Sequence, residues 1–176
     1  MTYRARFISW VACAVLLTGA AAFPGAKPPE PQTVSFDVIE RGIDSAFEDK
    51  GPVLYLLPDG ERLGAFYSSL HINKVPPKEP PRVDFNSNVV LYVSFGRKHT
   101  GGYSVKLLDA RIVRRALVIE AQLMKPLPNS YLIQMITNPY VLVAVPRAGV
   151  SCLEFDRVEL RDDTGDLRFT LTMRPG

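Results

Sequence analysis

Period two dominates the hydrophobic pattern of this chain. In LRFTLTM, Leu167, Phe169, Leu171 and Met173 alternate strictly with Arg168, Thr170 and Thr172, as in a strand with one face in the core and one in water. EFDRVEL precedes it across RDDTGD, so the two are expected to form a hairpin. From Val89 to Phe95 the apolar run is nearly unbroken, which predicts a central strand covered on both faces. YSVKLLDARIV places Tyr103, Val105 and Leu107 in one phase and Leu108, Ala110 and Ile112 in the other. A phase change inside one strand predicts a bulge or a strong bend. ALVIEAQLM is a further strand beyond the polar Arg114-Arg115. TVSFDVIERG, closed by Gly42, and PVLYLL, closed by Pro58-Asp59-Gly60, read as the first two strands. After the loop KPLPNS, the stretch YLIQMITNPYVLVAVPR resumes as extended chain.

One window departs from this alternation. In GERLGAFYSSLHIN, Leu63, Phe66, Tyr67 and Leu70 recur at helical spacing, and Asp59 stands where an N-cap is wanted. The next stretch, NKVPPKEPPR, holds four prolines and cannot continue a helix, so it reads as a stiff connector. The expected fold is α+β, mainly antiparallel β: eight or nine strands in a sandwich or a partly open barrel, with one helix. Fifteen prolines and twelve glycines suit such a turn-rich chain.

The N-terminal segment belongs to a different class. Arg4 and Arg6 precede an uncharged apolar stretch that ends in Ala20-Ala21-Ala22, which describes a secretory signal peptide over residues 1–22. The apolar stretch falls short of the roughly 20 residues a spanning helix needs. Lipid attachment at Cys13 is the lesser reading, because Trp10 stands three residues before it and the apolar run continues past it. Residues 23–33 are Pro-rich and read as a linker, and 34–176 as a single β-rich domain. The formal charge of +3 includes Arg4 and Arg6, so the remainder carries +1. A balance that close to neutral argues against nucleic acid as a partner. The expected location is periplasmic or secreted, with no transmembrane helix after signal cleavage.

Candidate chemistry is sparse. His71 and His99 are the two histidines, and no G-x-S-x-G elbow accompanies them. Cys152 has no intrachain partner once the leader is removed, and its simplest reading is a small buried hydrophobe. Asp162, Asp163 and Asp166 lack the ligand ladder of a calcium loop and suit a turn. No metal, cofactor or catalytic set is expected, and the chain is read as non-enzymatic. The remaining feature is GRKHTGGYSVKL, residues 96–107. Arg97, Lys98 and His99 cluster ahead of Thr100, Gly101, Gly102 and Tyr103, and the glycines permit tight folding or close approach of another backbone. This is the candidate binding loop. Both readings stand: a displayed contact surface or anion site, and a solvated turn with Tyr103 structural.

The segments VDFNSNVVLYVSFGRKHTGGYSVKL and PLPNSYLIQMITNPYVLVAVPR resemble the PrcB-like family, the C-terminal domain of the protease complex subunit PrcB. The correspondence rests on Asp84-Phe85, Gly96 with Thr100 to Val105, Pro126 and Pro128, and Thr137 with Pro139-Tyr140. The resemblance implies an exported bacterial protein without enzymatic activity, acting as an accessory subunit beside a surface protease. It brings no catalytic residues with it. A narrower likeness joins Thr100 to Tyr103 to the T-x-G-Y loop of chagasin-like cysteine-protease inhibitors, and suggests a hairpin tip that plugs a cleft. The expected function is therefore a protein-binding module for an extracytoplasmic protease or envelope protein. The alternative is a small-ligand or cell-wall domain that binds glycans or anions.

Overall fold

The computed structural model describes residues 31–147 and 157–172. The expected signal peptide over 1–22, the expected linker up to residue 30, Cys152 and Met173 lie outside the described residues. Nine strands and one helix follow in order: β1 (Gln32–Thr33), β2 (Asp37–Gly42), β3 (Val53–Leu57), α1 (Gly60–Leu70), β4 (Asn88–Ser94), β5 (Ser104–Val113), β6 (Ala116–Met124), β7 (Tyr140–Pro146), β8 (Arg157–Arg161) and β9 (Leu167–Thr172). They build two sheets, a five-stranded one ordered β1-β5-β6-β8-β9 and a four-stranded one ordered β2-β7-β4-β3. The architecture is a sandwich of mostly antiparallel sheets, not a closed barrel.

The core between the sheets follows from alternation. Val89, Leu91, Val93 and Phe95 with Val141, Val143 and Val145 face Val105, Leu107, Leu117, Ile119, Val158 and Leu160 across the interface. The opposite face of the four-stranded sheet is also covered. There Val90, Tyr92, Tyr140 and Leu142 meet Leu63, Tyr67 and Leu70 of α1. Thus β4 is buried on both sides, which is why its sequence loses the polar half of the alternation. The helix adds a third layer that a plain sandwich lacks, and each fully buried helix side chain contributes about 1.5–3 kcal/mol. Asp59 caps it, accepting from the Arg62 amide at 2.8 Å, and Pro76 and Pro77 follow soon after its end.

The bulge expected in β5 is present: pairing with β6 shifts register between Leu107 and Asp109, so the apolar phase changes without leaving the core. Three features were not anticipated. Gln32 and Thr33, taken as the last residues of the linker, pair with Ile112 and Arg111 of β5. The expected first strand is therefore split, its start on one sheet and Asp37–Gly42 on the other, against β7. β8 runs parallel to β6, the one parallel strand pair among the described residues of a mainly antiparallel fold. Between them the chain contributes β7 to the other sheet, so no hairpin forces β8 to reverse. Finally, residues 131–139 are not strand. β7 already spans the whole of β4, from Asn88 opposite Pro146 to Ser94 opposite Tyr140. The residues before Tyr140 run past the end of β4 and find no ladder there.

Candidate functional site

The glycine loop joins β4 to β5, and the structure ties most of it down. Gly96 has φ +72, and a Cβ there would lie 2.7 Å from the Gly51 amide nitrogen and 2.8 Å from the Asp49 carbonyl. Only glycine allows both that conformation and that approach. The Arg97 amide donates to the Asp49 carbonyl at 2.8 Å. Lys98 and Thr137 form an isolated antiparallel bridge, amide to carbonyl at 2.7 and 3.0 Å. Thr137 Oγ1 donates to the Thr100 carbonyl at 2.9 Å, and the Gly101 amide donates to the Ile133 carbonyl at 2.9 Å. Gly102 lies against Pro126 and Leu132. Arg97 and His99 are exposed, Thr100 and Tyr103 half-buried and Gly101 buried. The side chain of Lys98 is half-buried and its Nζ donates to the Phe95 carbonyl at 2.8 Å. Burial holds the Lys98 ammonium pKa below the ordinary lysine value, with no carboxylate to offset it. The basic trio is therefore divided, with Arg97 and His99 outward and Lys98 partly inward.

What the glycine loop holds is the segment between β6 and β7. Its fifteen residues, 125–139, have no strand or helix of their own, an uncommon length for an idle loop. It is strongly apolar on the outside: Leu127 is 80% exposed, Tyr131 106% and Ile133 71%, with Met135 and Ile136 also exposed. Sequence reasoning placed residues 131–136 in a strand and so missed this surface. The available signal was the lack of any charge from residue 126 to 146.

A second cluster lies under the helix. Glu40 on β2 receives Tyr140 Oη and Lys78 Nζ on Oε1, each at 2.6 Å, and Tyr67 Oη on Oε2 at 2.7 Å. His71, the helix C-cap, puts Nε2 at 3.2 Å from Glu40 Oε1 and 3.4 Å from Tyr140 Oη. Tyr140 lies across Gly42, where a Cβ would come within 2.4 Å of its ring. Burial alone would raise the Glu40 pKa, but hydrogen bonds from Lys78, Tyr140 and Tyr67 outweigh it and hold it below the usual carboxylate value. Burial pushes His71 down despite the Glu40 charge beside it, so its place at the helix end reflects neutral packing more than attraction of a cation to the helix dipole. The His71 side chain is 2% exposed. Through Glu40 the Tyr67 hydroxyl and the His71 ring of the helix end are tied to Tyr140 of β7, and the arrangement clamps helix to sheet.

These shifts predict acid sensitivity with a definite sign. His71 has a folded pKa below its ordinary 6.5, so the unfolded chain binds the proton first and stability falls as pH drops below 6.5. Glu40 has a folded pKa below 4.5, and its contribution is lost as pH falls from 4.5 through the folded value. Urea midpoints measured from pH 8 to pH 4 are expected to fall below pH 6.5 in wild type and to flatten between 6.5 and 5 in His71→Phe. A wild-type midpoint constant over that interval contradicts the assignment.

The turn between β8 and β9 is built around Asp162. Its Oδ1 accepts from the Thr164 amide, Thr164 Oγ1 and the Asp166 amide at 3.1, 2.6 and 2.9 Å, and Oδ2 accepts from Arg168 Nε at 2.6 Å. Hydrogen bonds, first from Thr164, bring its pKa down to about 2. The carboxylate is thus occupied as a turn organiser.

Residues 89–146 match the family model described as PrcB C-terminal. No curated protein and no solved structure matches the chain. The matched segment holds β4, the glycine loop, the β5–β6 hairpin, the exposed apolar segment and β7, and it supports a PrcB-like family assignment.

Proposed function

We propose that this chain is an exported, non-enzymatic protein-binding module that serves as an accessory or stabilising subunit of an extracytoplasmic protease complex. The observation that carries the reading is the apolar segment 125–136, displayed on a base fixed by the glycine loop. Contiguous exposed apolar surface marks interaction sites, and hydrogen bonds from Gly101 and Thr137 hold the base in place before binding. Less ordering is then required on association. The family match supports a protease-complex setting, and the leader-like sequence of residues 1–22 supports export. Among the described residues no helix is long and apolar enough to cross a membrane.

Affinity capture from envelope extracts tests this, with wild type compared against Leu127→Asp/Ile133→Asp. A protease identified in the wild-type eluate is expected to fall by about tenfold or more in the variant, since two central apolar contacts of an interface carry that much. Equal recovery on both proteins, or no protease on either, overturns the proposal. Both positions are exposed, so the variant is expected to keep the wild-type Tm.

A further inference from the structure

A cleft of about 480 Å³ opens at the end of the sandwich where the glycine loop, the start of the apolar segment and the β8–β9 turn converge. Lys50, Lys98 and Lys125 line it, with Phe95 and Leu123 among its apolar parts. Asp162, Asp163 and Arg168 complete its polar lining. The carboxylates there are already engaged: Asp162 by the turn and Arg168, and Asp163 by Gln122 Nε2 at 2.7 Å. The lysines are not. Lys98 donates only to a carbonyl, and among the described residues Lys50 and Lys125 have no ion-pair or hydrogen-bond partner. Asp49, beside Lys50 in sequence, is not part of the lining. Four cations against two carboxylates leave the lining with an excess of two positive charges, the cations gathered from four separate segments of the fold.

We infer that this cleft binds an acidic peptide segment of the protein partner, its carboxylates received by Lys50, Lys98 and Lys125. The inference rests on the protein-binding reading above and specifies the chemistry of the partner. Its volume lies in the range of real binding sites. Arg168 is committed to Asp162, so no free guanidinium fork offers the planar grip that selects one carboxylate or phosphate. Three separated ammonium groups suit several carboxylates spaced along a chain. Lys125 is also the first residue of the apolar segment, so the cleft and the exposed Leu127 form one continuous surface. A partner segment mixing acidic and apolar residues would cover both, the charges steering encounter and the apolar contacts retaining it.

Backbone amide NMR of the full chain, titrated at low and moderate salt with blocked hexaglutamate, hexaglutamine and inorganic phosphate, tests the inference. Hexaglutamate is expected to shift Lys50, Gly51, Lys98 and Lys125, to lose affinity as salt rises, and to bind about tenfold or more weakly to Lys50→Gln/Lys98→Gln/Lys125→Gln. Hexaglutamine should leave these signals unmoved. If Lys98→Gln disturbs the spectrum elsewhere, Lys50→Gln/Lys125→Gln serves with the same expected direction. No shift, or shifts spread over unrelated lysines such as Lys106, overturns the inference. Phosphate acting as strongly as hexaglutamate at equal charge also overturns it, in favour of a small-anion site. The two readings fail separately: a silent cleft with protease capture still sensitive to Leu127→Asp/Ile133→Asp removes only this inference. A responsive cleft with no protease captured removes the reading beneath it.

Discussion

Glu40→Ala is expected to lower the unfolding free energy by about 2–5 kcal/mol, a large part of the 5–15 kcal/mol typical of a native domain. The reason is the number of donors that one carboxylate serves. Tyr67 and Tyr140, both buried, and Lys78 donate to it, and His71 Nε2 stands 3.2 Å away. Lys78 is well exposed and its ammonium returns to water, so it adds little to the loss. The two hydroxyls and the imidazole cannot do so. Each buried polar group left without a partner costs about 1–3 kcal/mol. Tyr140→Phe should cost less, because Glu40 keeps Tyr67 and Lys78 and the ring still covers Gly42. Urea denaturation of both variants checks the order. A loss below about 1 kcal/mol for Glu40→Ala would mean that water replaces the carboxylate without penalty, and the clamp would not be structural.

Gly96→Ala is the second large effect, with an expected loss of about 2–4 kcal/mol. A side chain at φ +72 costs about 1–2 kcal/mol, and the new Cβ meets backbone atoms of Gly51 and Asp49, which cannot rotate away as a side-chain tip can. Overpacking of this kind adds about 1–3 kcal/mol. The damage should be directional as well as global. The Arg97, Lys98 and Gly101 amides, bonded to Asp49, Thr137 and Ile133, are expected to exchange hydrogen faster than β4 amides in the variant. Uniform acceleration over the whole domain, with no excess at these three, would show that the loop is not a separately anchored unit. Because the same anchors hold the 125–136 segment, the variant should also weaken partner capture even where the fold survives.

Much of this fold is legible in residue order, for reasons that can be named. The run Val89 to Phe95 lacks polar interruption because β4 lies between the second sheet and the helix, and the period-two signal disappears only where both faces are dry. The change of phase at Leu108 marks a register shift seen in the pairing of β5 with β6. Asp59 caps the helix through a bond three residues long, a contact that sequence spacing alone specifies. The candidate site was only half visible. Thr100 to Tyr103 stood out by its glycines, yet the exposed segment it supports was read as strand. Tyr131, Ile133 and Ile136 have strand propensity but face no partner, since β4 ends opposite Tyr140. Glu40 gave no signal at all. It is one polar residue in an alternating strand, and its partners lie 27 to 100 positions away.

The chain by itself therefore determined the local features: strand periodicity, the helix and its cap, the bulge and the glycine turn. Each depends on residues a few positions apart, whose geometry the backbone constrains directly. Only the tertiary structure decided which sheet receives each strand, that β8 lies parallel to β6, that Glu40 meets His71 and Tyr140, and that Lys98 joins Lys50 and Lys125 around one cleft. Those arrangements join elements far apart in sequence, and burial and pairing of the whole domain select them. Period-two alternation tells a strand which face to bury and leaves its neighbours open.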